Sequence, residues 1–224
     1  MRILLFGATG MVGQGVLREC LLAPDVEEVV AVGRAPSGVV HTKLKDFVHA
    51  DLFDYASVEE RLTGFDACFF CIGVSSFRMD EATYTRLTYD MTLATASTLA
   101  RLNPGMSFVY VSGAGADTSE NGKTMWARVR GRTENALARL PFGRINVIRP
   151  GVVRPMHGAR SRTRTYRLIY PLMAPFLPGL RALMPHSIAT TESIGRALLV
   201  LAREGSPTTI LETGDIEEAA RRFR

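Results

Sequence analysis

The sequence predicts an α/β fold in one domain spanning residues 1–224, a doubly wound and mostly parallel sheet of about seven strands. Two observations carry this. Apolar runs of four to seven residues alternate with helix-patterned stretches as far as residue 148, the sequence form of strands buried on both faces. The chain has 224 residues, 46% of them hydrophobic and 22% charged, with three cysteines. A single core of that size buries roughly 70% of the unfolded surface, so neither disorder nor a disulfide scaffold fits.

Strands are predicted at Ile3 to Phe6, Glu28 to Val32, Asp46 to Ala50, Ala67 to Ile72, Ser107 to Ser112, Asn146 to Arg149 and Thr208 to Glu212. Val12, Val16, Leu17, Cys20 and Leu21 mark the first helix by their spacing. Ser57 with Glu60 has the capping-box form and predicts a short helix. A long helix is expected from about Glu81 to Leu102, stopped by Asn103-Pro104-Gly105, and another from about Thr124 to Leu140, stopped by Pro141. The last begins near Thr191 and carries Ile194, Leu198 and Leu201 on one face. Residues 168–184 are nearly all apolar, but Pro171, Pro175, Pro178, Gly179 and Arg181 argue against a bilayer span and for a broken pair of short helices.

Net charge is +5, from 27 Lys+Arg against 22 Asp+Glu, and the excess gathers at Arg160, Arg162, Arg164 and Arg167. No nucleic-acid-binding motif accompanies that patch, so nucleic acid is not an expected partner. Met1 to Phe6 is too short an apolar run for a signal peptide and lacks a cleavage site, which predicts a cytoplasmic protein. Cys68 and Cys71 are three apart in a strand and face opposite sides, and no second Cys/His pair stands at ligand spacing, so core packing is expected and no metal.

Directly after the first strand, Gly7-Ala8-Thr9-Gly10-Met11-Val12-Gly13 opens the first helix. Gly7 suits a tight turn, Gly10 a close approach of backbone to a pyrophosphate, and Gly13 tight packing of helix on sheet. Thr9, Met11 and Val12 complete the loop, whose helix N-terminus offers unpaired N–H groups to an anion. Strand, loop, helix and second strand follow within the first 32 residues, the order of a Rossmann-type dinucleotide site.

The Gly-Ala-Thr-Gly-x-x-Gly form resembles the short-chain dehydrogenase/reductase superfamily, specifically its small atypical branch of NAD(P)-binding and epimerase-like proteins. Later landmarks agree in order: Ala50-Asp51-Leu52, Cys71-Ile72-Gly73, Val111-Ser112-Gly113-Ala114 and Arg149-Pro150-Gly151. The resemblance implies that Asp51 and Leu52 sit beside the adenine, that Cys71, Ile72 and Gly73 line the ribose, and that Pro150, Gly151 and Val152 border the cofactor. Strand two ends in Val32-Gly33-Arg34, where an NAD-selecting site places an acid; a guanidinium suits a 2′-phosphate, so NADP(H) is expected over NAD(H).

Superfamily reductases pair a Ser at the end of strand five with Tyr-x-x-x-Lys on the next helix. Ser112 fits as the group that polarises a carbonyl, but the helix reads Trp126-Ala127-Arg128-Val129-Arg130. Trp126 and Arg130 share one helix face, and Arg130 can still donate to ribose hydroxyls. An indole has no proton to give near neutrality. Another donor is therefore needed, from Tyr84, Tyr89, Asp90, His157 or Tyr166, or the domain binds cofactor without the family's chemistry. By the same resemblance, residues 154–187 form a substrate-side insertion, whose arginines and apolar run suit an amphipathic or acidic small molecule. The rival reading is contact of 160–184 with an anionic membrane. Oligomeric state is left open.

Overall fold

The structure, a computed structural model, describes residues 1–160 and 188–224. The expected broken helices, together with Arg162, Arg164, Tyr166, Arg167 and most of the substrate-side insertion, lie outside the described residues.

Seven parallel strands form one sheet: β1 (Arg2–Phe6), β2 (Glu28–Gly33), β3 (Leu44–Val48), β4 (Ala67–Phe70), β5 (Ser107–Val111), β6 (Arg144–Arg149) and an edge strand, β9 (Ile210–Glu212). The order is β3-β2-β1-β4-β5-β6-β9. β7 (Val152–Arg154) and β8 (Ile188–Thr190) pair as a separate parallel ribbon that the sequence pattern did not announce. Three residues per strand are too few for a period to register.

Both faces of the sheet are covered, and successive residues serve opposite layers. Ile3 and Leu5 pack with α1 (Met11–Leu22), α5 (Thr191–Glu204) and α6 (Thr213–Arg221); Leu4 and Phe6 pack with α3 (Met91–Leu102) and α4 (Met125–Leu137). Cys68 belongs to the second layer and Cys71 rests against the first, and all three cysteines are free. Burial raises the pKa of both thiols, the response of core groups held in the neutral form.

Three local expectations need correction. β3 starts two residues earlier than predicted, because Val29–Gly33 of β2 pairs with Leu44–Val48 in register. Ser57 and Glu60 form no capping box: the turn is a 3-10 helix over Ala56–Leu62, and the carboxylate of Asp54 accepts the Ala56 N–H instead at 2.9 Å. The long helix is also not uniform. α2 (Glu81–Thr85), capped by Asp80, runs into a π-turn over Arg86–Asp90 before α3.

Strand order reverses between β1 and β4, so the chain leaves the sheet in opposite directions on either side of that line. A crevice at the carboxyl ends of the strands follows from this topology. α5 crosses α1 closely enough that a Cβ on Gly15 would stand 2.5 Å from Thr191, which fixes the helix that carries the loop after β1.

Candidate dinucleotide cleft

The loop after β1 is shaped for backbone, not side chains. Gly7 has φ of +85°, and a Cβ there would lie 2.8 Å from the Cys71 carbonyl at the end of β4. On Gly13 a Cβ would lie 2.0 Å from the Gly7 oxygen. Gly10 differs: the nearest atom to its Cβ would be the Gly7 oxygen at 3.3 Å, leaving room on the solvent side. Gly10 is the N-cap of α1 and supplies no side-chain cap, and the first turn holds no acid. The N–H groups of Met11, Val12 and Gly13 and the positive end of the helix are thereby left to an anion. This cradle fits a pyrophosphate.

Beside it, Gly7, Thr9, Gly33, Arg34 and Ser37 line a cleft of about 80 Å³. Arg34 is exposed at the end of β2, while Ser37 is held by Asp46, whose carboxylate accepts both its N–H at 2.9 Å and its hydroxyl at 3.1 Å. Leu52 is buried, and the carboxylate of Asp51 turns back to accept the Phe53 N–H. Cys71 continues β4 through its N–H to the Phe6 carbonyl, Ile72 is half-buried and Gly73 is exposed at the rim. Pro150 is buried and accepts the Ala114 N–H, Gly151 donates to Thr213, and Val152 opens β7.

α4 brings Trp126 and Arg130 to the ends of β4 and β5. The Trp126 ring reaches within 3.4 Å of where a Gly115 Cβ would be. Arg130 lies between Gly73 and Gly113, with Nη2 3.7 Å and Nη1 3.6 Å from their Cβ positions, and its Nε donates to the Tyr84 hydroxyl at 3.0 Å. Burial pulls the Arg130 pKa down, but Tyr110, Tyr84 and Glu134 outweigh it and the net shift is upward, so the side chain is a fixed cation. Tyr110 behind it is pushed up to about 12 by burial.

Ser112 ends β5 as expected, yet it stands apart from this pair. Its hydroxyl donates to Glu134 at 2.5 Å. Glu134 is also gripped by Arg149, whose Nε lies 3.1 Å and 3.2 Å from its two oxygens, while Arg149 Nη1 reaches Glu212 at 3.2 Å. The pair is nearly sealed, with side chains 1% and 11% exposed. Ser112 thus meets α4 at Glu134, one turn beyond Arg130, and it is Gly113 that faces the Arg130 guanidinium. Of the other proton-donor candidates, Tyr84 meets Arg130, Tyr89 lies under the Arg132 guanidinium, Asp90 is exposed, and His157 pairs with Glu192. The Ser112–Glu134–Arg149 network was not read from the sequence; Glu134, four residues beyond Arg130, was the one available signal.

Fold and cleft together define a dinucleotide-binding protein of Rossmann type. The chain belongs to the NAD(P)H-binding family, whose profile matches residues 7–138. Over 154 residues it is 27% identical to Protein HTATIP2 of Rattus norvegicus, a match covering 67% of this chain and 62% of that one, so less than two thirds of the relative's length is spanned. It is 28% identical over 169 residues to Protein fmp52, mitochondrial, of Emericella nidulans, covering 72% and 70%. Among solved structures, the Bordetella bronchiseptica enzyme WbmF in complex with NAD+ superposes with a TM-score of 0.68 at 16% identity, over 99% of this chain and 77% of that one. The expected resemblance and the seven-stranded α/β fold both hold.

Proposed function

We propose that the chain binds NADP(H) in preference to NAD(H) and acts as a reductase or epimerase-like oxidoreductase on a small organic substrate. The observation that carries this is the side-chain-free cradle of Gly7, Gly10 and Gly13 next to the Arg34 cleft. When bound, the nicotinamide supplies or takes up the hydride. The chain's own residues do the rest: α1 holds the pyrophosphate through its first N–H groups, Arg34 takes the 2′-phosphate, and Asp51 and Leu52 flank the adenine. Arg130 bonds the ribose from its Gly73 side, and Trp126 walls the nicotinamide side of the cleft. A cytoplasmic location belongs to the same reading; among the described residues no helix is long and apolar enough to cross a membrane.

Thermal shift with NADPH, NADP, NADH and NAD tests the cofactor. Ligand at about 100 times its Kd stabilises by roughly 2.7 kcal/mol, so the phosphorylated pair should give the larger shifts. Arg34→Ala should erase about tenfold or more of the NADP(H) preference, the effect of one charge-assisted hydrogen bond. Equal affinities for NADPH and NADH in the parent protein would sink the assignment.

Ser112 reaches a substrate oxygen only by giving up Glu134. Ser112→Ala should therefore cost about 1–3 kcal/mol of stability, by leaving a buried carboxylate short of a donor, and lower turnover less than it lowers stability. Turnover of aldehydes, ketones and quinones with NADPH, read beside the melting temperature, decides this; lost turnover at an unchanged melting temperature would return Ser112 to the polarising role. A second reading, a catalytically silent NADP(H) sensor, is favoured by one observation, Trp126 in place of an ionisable residue. Absence of turnover alongside tight NADPH binding would select it. The membrane alternative rests on 160–184, of which Arg160 alone is described; its backbone N–H and carbonyl are taken by the Gln14 side chain.

A further inference from the structure

Among the described residues, no carboxylate pairs with the charge that Arg130 carries. Its Nε–H is given to Tyr84, whose oxygen must be the acceptor because a guanidinium has donors only. Among the described residues neither Nη1 nor Nη2 meets an acceptor. Glu134, the acid that acts on Arg130 electrostatically, has its oxygens taken by Arg149 and Ser112. The result is a half-buried cation, held in plane by a phenol, with a glycine clearing the approach to each terminal nitrogen.

The two approaches differ. Nη2 faces Gly73, on the stretch that borders the ribose in the reading above, and Nη1 faces Gly113, two residues before the Gly115 that the Trp126 ring approaches. A side-chain hydroxyl at residue 113 would give Nη1 an internal acceptor; glycine there leaves that role to a ligand. Cations removed from water are costly unless paired, and a charged acceptor restores roughly twice what a neutral one does.

We infer that the Nη1 side of Arg130 is the receptor for an anionic oxygen of the substrate, a carboxylate on a small apolar body, with the Trp126 ring as the wall beside it. This names the substrate class of the proposed site and rests on that reading in giving the Nη2 side to the cofactor. Tyr84 is the positioning residue that keeps the guanidinium turned toward the cleft.

The test is binding. Benzoate against benzamide, and butyrate against butyramide, are titrated by calorimetry into the parent, Arg130→Gln and Gly113→Val proteins, with and without NADPH. Gly113 has no positive φ, and its Cβ position meets Arg130 at ordinary contact distance, so valine fills the approach with the cation still in place. The parent should prefer each acid over its amide by about tenfold or more, and the preference should fall to near unity in both variants. Melting temperatures confirm that the variants are folded. Equal binding of acid and amide by the parent, or a preference that survives both substitutions, would overturn the inference. An acid preference in a protein that fails to bind NADPH would sink the cofactor reading and leave the carboxylate receptor standing.

Discussion

Replacing Arg149 by leucine is expected to destabilise the protein by roughly 3–5 kcal/mol, because the Glu134 carboxylate would stay buried without its cation. Arg149 and Glu134 bind in a forked arrangement at the junction of β6 and α4, and Glu212 at the far edge of the sheet closes the other side. For a chain of this size the loss corresponds to a drop of roughly 6–20 °C in melting temperature, read by calorimetry or denaturant unfolding. Replacing Glu134 and Arg149 together by leucine should recover part of it, since no lone charge then remains inside. A loss below about 1 kcal/mol for the single change would mean that water reaches Glu134 and that the pair behaves as a surface bridge.

The second large effect separates two glycines three residues apart. Gly10→Val should leave the fold intact and weaken NADPH by about 100-fold or more, because its side chain would occupy the space in front of the α1 N–H groups where a phosphate must come. Its backbone has φ of −79°, which valine adopts without strain. Gly13→Val should disrupt the loop itself, since the added carbon would lie 2.0 Å from the Gly7 oxygen. A folded Gly10→Val protein that bound NADPH normally would remove the phosphate role from this loop. A Gly13→Val protein as stable as the parent would show that the loop and α1 can separate at little cost.

Much of this architecture was legible in the residues. β1, β2, β4 and β5 are near-continuous apolar runs because both faces are buried, and the glycine loop announced its own position through three residues with no side chain to place. Where pattern and structure part, the reason is local. β3 is an edge strand with Lys45, Asp46 and Val48 exposed, so its limits carried little apolar signal. α6 buries only a narrow stripe around Ile216, Ala219 and Ala220, too few apolar residues to stand out within nine.

The site was legible by type and less so by partner. Trp126 and Arg130 share a face because four residues make about one helical turn, a fact available before any coordinates. Which way Ser112 turns depended on a carboxylate 22 residues later, and the support of Arg130 on a tyrosine 46 residues earlier. Pairings over such separations are set by how α2, α4 and β5 meet, and no local spacing rule reports them.

The π-turn at Arg86–Asp90 makes the winding of this helix part of the site. In an unbroken α-helix Tyr84 and Met91, seven residues apart, would come within about 20° of one another around the axis. The wider turn takes up extra chain, so Tyr84 is directed to Arg130 while Met91 is delivered to the layer beneath the sheet. Were the same residues wound as one regular α-helix, α2 would turn by roughly 100° relative to α3. The guanidinium would lose its brace with Tyr84 and Arg130 both unchanged, so the winding of this helix governs the chemistry of the cleft as directly as the identity of any residue within it.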